Sequence, residues 1–185
     1  MRRILVIGSP GAGKTTLSRR IAEAFGLPLV HLDREYWRAG WVKPPDAEWE
    51  ARAASLAERP AWVMDGEYLD TAGRQLGRAT AIVWLDLPNW LCLGRALKRL
   101  ALNYRRERTD LAPGCPEFFN LDYVAFIRDI WTYPARIRPE MLERLRTLRP
   151  DQTCIVLHSP REVRDFAAGL PATLHGGAAP LPGAA

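Results

Sequence analysis

Cysteine, lysine and long apolar runs are scarce in this chain of 185 residues. The three cysteines, Cys92, Cys115 and Cys154, are odd in number and scattered, which argues against a disulfide framework and against a zinc site with paired ligands. The apolar run near the N-terminus covers only residues 4–7, too short for the core of a signal peptide or a membrane span. We therefore expect a cytoplasmic protein with reduced thiols and no membrane partner.

Length and composition limit the number of domains that the chain can form. With 48% hydrophobic residues the chain can bury a sizeable core, and we expect one domain over residues 1–170. Residues 171–185 consist largely of Ala, Gly and Pro, a composition that predicts a disordered tail. No internal repeat is evident.

The basic charge is carried almost entirely by arginine. Of the 26 Lys and Arg residues, 23 are Arg, and the formal net charge is +5. This balance permits a polyanionic partner. An arginine-rich composition can reflect genomic bias, but arginine is also the side chain that binds phosphate in a planar, bidentate fork, so both interpretations stay open.

Residues 8–16 read GSPGAGKTT and match the phosphate-binding pattern GxxxxGK[ST] at every position. An apolar run precedes them and an amphipathic stretch follows, which predicts a strand, a glycine-rich loop and a helix. Backbone N–H groups of such a loop can surround a phosphate, Lys14 can contact the β- and γ-phosphates, and the Thr15 hydroxyl can bind Mg²⁺. The candidate nucleotide-binding residues are Gly8, Ser9, Pro10, Gly11, Ala12, Gly13, Lys14, Thr15 and Thr16.

Four further short apolar runs follow, near residues 29–32, 61–64, 81–85 and 153–157, with helical patterns between them. This alternation is typical of an α/β fold with a parallel sheet.

Two of these runs end in an aspartate, and ligands of open α/β sheets bind at the carboxyl ends of the strands. Asp65 closes the third run and is the candidate to hold Mg²⁺ together with Thr15. Asp33 closes the second run and is the candidate to orient an acceptor hydroxyl or to assist a metal-bound water, with a helix cap or a turn carboxylate as the alternative. His31, inside the second run, is interpreted as a packed core residue.

Arginines at two places are candidates for contacts with the nucleotide. Arg105, Arg106 and Arg108 precede a segment interrupted by Pro and Gly, where cations could close over a transferring phosphate. A solvated basic surface is the alternative for these three. Arg161 follows the fifth apolar run, where its loop could lie against a nucleotide base.

Several of these stretches resemble a known group of proteins. GSPGAGKTT, HLD at residues 31–33, MDG at residues 64–66 and the later arginine-rich segment resemble the P-loop kinases of the adenylate kinase and shikimate kinase group. More narrowly, HLDREYWRAGW, WVMDGEY, GCPE and WTYPARIRP are similar to the bacterial DNA topology modulation proteins, a family related to adenylate kinase. The resemblance covers roughly residues 1–168.

The resemblance implies more than the residue pattern alone. It implies a three-layer α/β/α P-loop fold whose five-stranded parallel sheet has the order 2-3-1-4-5, a small lid near residues 105–120, and the use of ATP with Mg²⁺. It also implies that Asp65 is the strand-three acid and that Arg105, Arg106 and Arg108 belong to the lid. Adenylate kinases usually have Phe-Pro-Arg after the strand-three Asp-Gly, whereas this chain has Glu67-Tyr68, so AMP is not implied as the acceptor.

The sequence therefore predicts an ATP-dependent kinase acting on an unidentified small-molecule or nucleotide-like acceptor. The alternative is a nucleotide-regulated protein that binds nucleic acid through a basic helix at residues 95–108, or an ATPase. Salt dependence distinguishes these functions, because binding to a phosphate backbone weakens steeply as salt rises.

Overall fold

Five parallel strands form the centre of the fold, in the order β2-β3-β1-β4-β5. This confirms the predicted sheet order. The computed structural model describes residues 2–66 and 68–170, without the side chains of residues 69 and 70, so the predicted tail at residues 171–185 lies outside the described residues. The strands are β1 (Arg3–Gly8), β2 (Leu29–His31), β3 (Trp62–Asp65), β4 (Ala81–Leu85) and β5 (Thr153–Leu157).

Helices connect consecutive strands, as parallel pairing requires. They are α1 (Lys14–Phe25), α2 (Leu32–Tyr36), α3 (Asp46–Glu58), α4 (Leu69–Arg78), α5 (Asn89–Asn103), α6 (Leu121–Arg136), α7 (Arg138–Arg146) and α8 (Pro160–Ala168).

The sheet is buried on both faces, which explains why its strands read as continuous apolar runs. Side chains of a strand alternate between the two faces. Ile4 and Val6 accordingly pack in one core with residues of α1, α5 and α8. Leu5 and Ile7 pack in the other core with residues of α3, α4 and α7. The result is a three-layer α/β/α arrangement.

The strand register brings the ends of four strands to one edge of the sheet. His31 is level with Asp65 in the β2–β3 pair, and Val6 is level with Asp65 in the β1–β3 pair. Gly8 is level with Leu85 in the β1–β4 pair. The glycine-rich loop therefore begins beside the ends of β3 and β4.

One element boundary differs from the sequence prediction. The chain turns into α2 directly after β2, so Asp33 lies in a helix rather than at the end of a strand.

The connecting segment between α5 and α6, residues 105–120, has its own small apolar cluster. Leu111, Ala112 and Cys115 are buried there, and Trp37 and Trp41 from the segment after α2 pack against them. The Trp41 indole N–H donates to the Pro116 carbonyl oxygen at 2.9 Å. The connecting segment is thus attached to the segment after α2 rather than projecting alone into solvent.

Among the helices that the structure describes, none combines the length and the apolar character needed to cross a membrane.

We expect Ile82→Ala to lower the free energy of unfolding by about 2–5 kcal/mol, since it removes a fully buried side chain from the central strand β4. Leu102→Ala is the matched control, because Leu102 is 64% exposed and its truncation should change stability by only about 0.5 kcal/mol. Urea unfolding curves of both variants measure the difference. Equal losses would contradict the assignment of the core.

Candidate active site

Three glycines of the loop after β1 have backbone conformations that other residues rarely adopt. Gly8, Gly11 and Gly13 have φ angles of 138°, 83° and 101°. A Cβ on Gly8 would lie 2.5 Å from the Leu85 carbonyl oxygen, and one on Gly11 would collide with the carbonyl oxygen of Cys92. The loop can therefore follow this path only with glycine at these positions.

The N-terminal end of α1 faces the same loop and carries no acidic residue of its own. Gly13 is the N-cap and makes no side-chain cap bond, and the first turn has no acidic residue. The positive end of the helix dipole is thus presented toward the loop. The Lys14 ammonium lies over the loop and donates to the carbonyl oxygens of Gly8 and Ser9 at 2.6 and 3.2 Å.

This geometry fits a phosphate group. The loop combines glycines without Cβ atoms, a helix N-terminus without a side-chain cap and a lysine ammonium, which together form an anion-binding site. Arg95 supports the loop from α5, with its guanidinium donating to the Ala12 carbonyl oxygen at 3.0 Å.

The residues present also fit Mg²⁺ bound together with a nucleotide. No group of three or more His, Cys, Asp or Glu side chains among the described residues could hold a metal ion alone. Magnesium in phosphate-transfer sites takes one or two protein ligands and fills its shell with phosphate and water. The Thr15 hydroxyl at the start of α1 and the Asp65 carboxylate at the end of β3 are suited to that role.

Asp65 forms a buried pair with His31. The His31 Nδ1 lies 2.7 Å from the Asp65 Oδ1, and the Asp65 side chain is only 5% exposed. The Asp65 Oδ2 is also buried and has no hydrogen-bond partner among the residues that the structure describes. His31 is therefore not the simple core residue that its apolar neighbours suggested, and Asp65 keeps one buried oxygen suited to a cation or to water.

Asp33 is exposed on the first turn of α2 and is held by Tyr68. The Tyr68 hydroxyl donates to the Asp33 Oδ1 at 2.7 Å. Burial raises the pKa of Tyr68, and the negative charge of Asp33 raises it further, so this hydroxyl keeps its proton. The N-cap of α2 is His31, without a side-chain cap bond, so the alternative of Asp33 as a helix cap is not what the structure shows.

Three aromatic rings pack around the tyrosine that holds this aspartate. Tyr36, Trp49 and Tyr68 are mutual neighbours, with ring centroids 4.5–5.0 Å apart. This packing fixes the position of the Tyr68 ring and hence of the hydroxyl that holds Asp33.

The connecting segment lies against the start of α1 through two of its residues, Thr109 and Asp110. Arg19 donates to the Thr109 hydroxyl at 3.0 Å, and Arg34 donates to the Thr109 carbonyl oxygen at 3.1 Å. The Thr15 hydroxyl donates to the Asp110 Oδ2 at 3.4 Å. The sequence analysis did not single out Asp110, although a carboxylate directly after the arginine cluster was a signal that could have identified it.

Arg108 is held in place by two carboxylates. Its guanidinium forms a bidentate pair with Asp110 and donates to the Glu117 Oε1 at 2.8 Å. Arg99 of α5 also approaches the Glu117 Oε1, at 3.0 Å. Two arginines and two acids therefore form one largely buried network.

Within this network, Arg108 and Asp110 each stabilise the charged form of the other. Burial acts to raise the pKa of Asp110, but the charge and hydrogen bonds of Arg108 outweigh it and leave this pKa below its ordinary value. Burial acts to lower the pKa of Arg108, and the charge of Asp110 and the hydrogen bond to Glu117 more than offset it. Arg108 is thus a paired cation and not the solvated surface residue of the alternative interpretation.

The other candidate arginines are more exposed. Arg105 has a left-handed backbone, with φ 60°, just after α5, and its guanidinium lies 5.6 Å from the ring centroid of Tyr104. Arg106 is exposed. Arg161 lies on the first turn of α8, 84% exposed and 3.7 Å from Asp165. Their roles toward a nucleotide stay predictions.

Helix α5 belongs to the basic stretch that the sequence suggested as a nucleic-acid contact. Two of its arginines instead contact other parts of the fold. Arg95 donates to the loop after β1, and Arg99 pairs with Glu117. These two guanidiniums are therefore engaged within the fold, which weakens the case for α5 as a phosphate-backbone contact.

Comparisons with known proteins agree with the kinase group. No protein-family model matches the chain. A shikimate kinase from Corynebacterium glutamicum is 33% identical over 98 residues, with 46% of this chain and 58% of that protein covered. An adenylate kinase from Halobacterium salinarum is 28% identical over 125 residues, with 52% and 56% covered. The chain therefore spans less than two thirds of the length of these curated relatives.

Solved structures show the same fold over nearly the whole chain. The shikimate kinase from Acinetobacter baumannii in complex with shikimate has a TM-score of 0.59 at 20% identity and covers 95% of this chain and 93% of its own. The shikimate kinase from Bacteroides thetaiotaomicron has a TM-score of 0.57 at 16% identity, with 95% and 99% covered. The chain has the α/β fold of the P-loop kinases, and the narrower likeness to DNA topology modulation proteins stays a prediction.

We expect Arg108→Ala to lower the free energy of unfolding by about 3 kcal/mol, because it leaves two buried carboxylates with less compensation. Arg106→Ala is the control, and at this exposed position we expect a change of only about 0.5 kcal/mol. Chemical denaturation at neutral pH measures both variants. If Arg108→Ala were as stable as Arg106→Ala, the buried network would not contribute to folding.

Proposed function

We propose that the protein is an ATP-dependent kinase that transfers the γ-phosphate of ATP to a small-molecule or nucleotide-like acceptor. The observation that carries this proposal is the loop after β1, where three left-handed glycines, the end of α1 and Lys14 converge. The P-loop kinase fold around this loop and the kinase relatives support the same activity. The alternative function in nucleic-acid binding has no comparable support from the structure.

The loop and its lysine would hold the phosphates of ATP. Backbone N–H groups of residues 8–13 and the Lys14 ammonium provide the donors, and the Thr15 hydroxyl with Asp65 would hold Mg²⁺. When bound, Mg²⁺ neutralises charge on the phosphate oxygens and orients them. His31 fixes the orientation of Asp65 through the 2.7 Å contact.

Asp33 would orient the hydroxyl of the acceptor and accept its proton as the new phosphate ester forms. It follows β2, at the edge of the sheet where the phosphate loop begins, and Tyr68 restricts its side chain. A restrained carboxylate positions an attacking hydroxyl better than a freely rotating one, because less orientational entropy is lost in reaching the reactive geometry.

Residues 105–120 would act as a lid that excludes water and brings arginines over the transferring phosphate. Thr109 and Asp110 already contact α1 and α2, so the segment lies beside the proposed nucleotide site. Arg105, Arg106 and Arg108 are the candidates for stabilising transition-state charge. Arg161 would lie near the base of the nucleotide.

The proposal for the acceptor concerns its chemical class. The relatives include a shikimate kinase and an adenylate kinase by name. Tyr68, in the stretch where adenylate kinases usually have Phe-Pro-Arg, holds Asp33. We therefore propose a hydroxyl-bearing small molecule or nucleotide-like compound as the acceptor.

MgATP should raise the melting temperature of the protein. Binding to the native state alone stabilises it by about 2.7 kcal/mol when the ligand is at a hundredfold excess over Kd. Lys14→Ala should lose most of this stabilisation because the phosphates lose their ammonium partner. Thermal unfolding with and without millimolar MgATP tests both statements, and an unchanged wild-type curve would refute ATP binding.

Asp65 and Asp33 should have separable roles. Asp65→Asn should raise the Mg²⁺ concentration needed for activity, whereas Asp33→Asn should leave ATP binding nearly intact and suppress transfer to the acceptor. ATP binding and ATP turnover, measured across a Mg²⁺ titration, separate the two effects. Equal loss of ATP affinity in both variants would contradict the division of roles.

A further inference from the structure

Asp110 is the side chain of the connecting segment that contacts Thr15 at the start of α1. Its Oδ2 lies 3.4 Å from the Thr15 hydroxyl, and its side chain is only 11% exposed. We infer that Asp110 belongs to the Mg²⁺ site and makes the protein select metal-bound ATP over free ATP. This inference rests on the proposed function, because it concerns the same nucleotide site.

The distance is compatible with a shared cation. Oxygen ligands lie about 2.0–2.1 Å from Mg²⁺, so neighbouring ligands of one octahedral shell are about 3 Å apart. The Thr15 hydroxyl is the P-loop group expected to bind the ion. A carboxylate at 3.4 Å from that hydroxyl can reach the ion directly after a small shift, or through one water of its shell.

The charge of Asp110 determines which form of ATP the contact favours. Asp110 is anionic, and so is a triphosphate, so the two repel each other when no cation lies between them. A divalent cation next to both converts this repulsion into attraction. A carboxylate beside Thr15 therefore penalises metal-free ATP and favours the Mg²⁺ complex.

Asp110 also pairs with Arg108, which offers a competing explanation. The bidentate contact with the guanidinium could make Asp110 only a positioning residue for that arginine. The two explanations predict different effects on the two forms of ATP. Loss of a positioning residue weakens binding of both forms of ATP alike, whereas loss of a metal-site carboxylate weakens only the Mg²⁺ form.

The test uses calorimetry to measure the affinity of the protein for adenylyl imidodiphosphate, a non-hydrolysable ATP analogue. The affinity is measured once in the presence of Mg²⁺ and once in the presence of EDTA. We expect Asp110→Asn to reduce the preference for the Mg²⁺ complex by about 10- to 100-fold, with metal-free binding unchanged or tighter. Glu107→Gln is the matched control, since it removes one negative charge from the same segment, at a residue that accepts a hydrogen bond from the Gly114 amide. It should keep the wild-type ratio. Arg108→Gln should weaken both forms without changing their ratio.

The outcomes separate this inference from the proposed function. If the wild type binds the analogue but Asp110→Asn leaves the ratio of the two affinities unchanged, the inference is wrong and the kinase proposal stands. If the wild type binds neither form, both are overturned.

A measurement on the wild type covers the case in which Asp110→Asn does not fold. If Mg²⁺ binds against Asp110, the Mg²⁺ complex of the analogue should slow tryptic cleavage after the exposed residues Arg105 and Arg106, whereas the analogue with EDTA should not. Equal protection by both forms would overturn the inference.

Discussion

The close approach of the loop after β1 to the main chain around it is the constraint on which the site depends. Gly8 lies against the Leu85 carbonyl oxygen at the end of β4, and Gly11 lies against the carbonyl oxygen of Cys92 in α5. These contacts leave no space for side chains and fix where the loop N–H groups lie. Parallel pairing of β1 with β3 then places Asp65 at the same edge of the sheet as this loop.

A second level of organisation joins the connecting segment to this loop. Arg99 and Arg108 compensate Glu117 and Asp110 where all four side chains are largely buried. Removing water from such charges is costly unless each finds a partner, so the network specifies one arrangement of the segment. Because Asp110 also contacts Thr15, the arrangement of the segment and the nucleotide site are physically linked.

The features that depend on local pattern could be predicted from the sequence. Short-range composition and periodicity predict the glycine loop and the burial of the strands. They also predict the two aspartates, Asp33 after β2 and Asp65 at the end of β3. The pairing of His31 with Asp65 and of Arg108 with Glu117 could not, because strand register and the packing of the connecting segment decide which side chains meet. Likewise, an arginine cluster alone does not reveal that Arg108 is paired while Arg106 is exposed.

The most direct test of the account is phosphoryl transfer itself. The protein would be incubated with ATP, Mg²⁺ and, in turn, nucleosides, nucleotides and small alcohols, and the products would be followed by ³¹P NMR. The account predicts that one acceptor class yields a new phosphate ester resonance in step with the formation of ADP. Formation of ADP with inorganic phosphate alone, at a rate that no acceptor class changes, would contradict a kinase and indicate an ATPase.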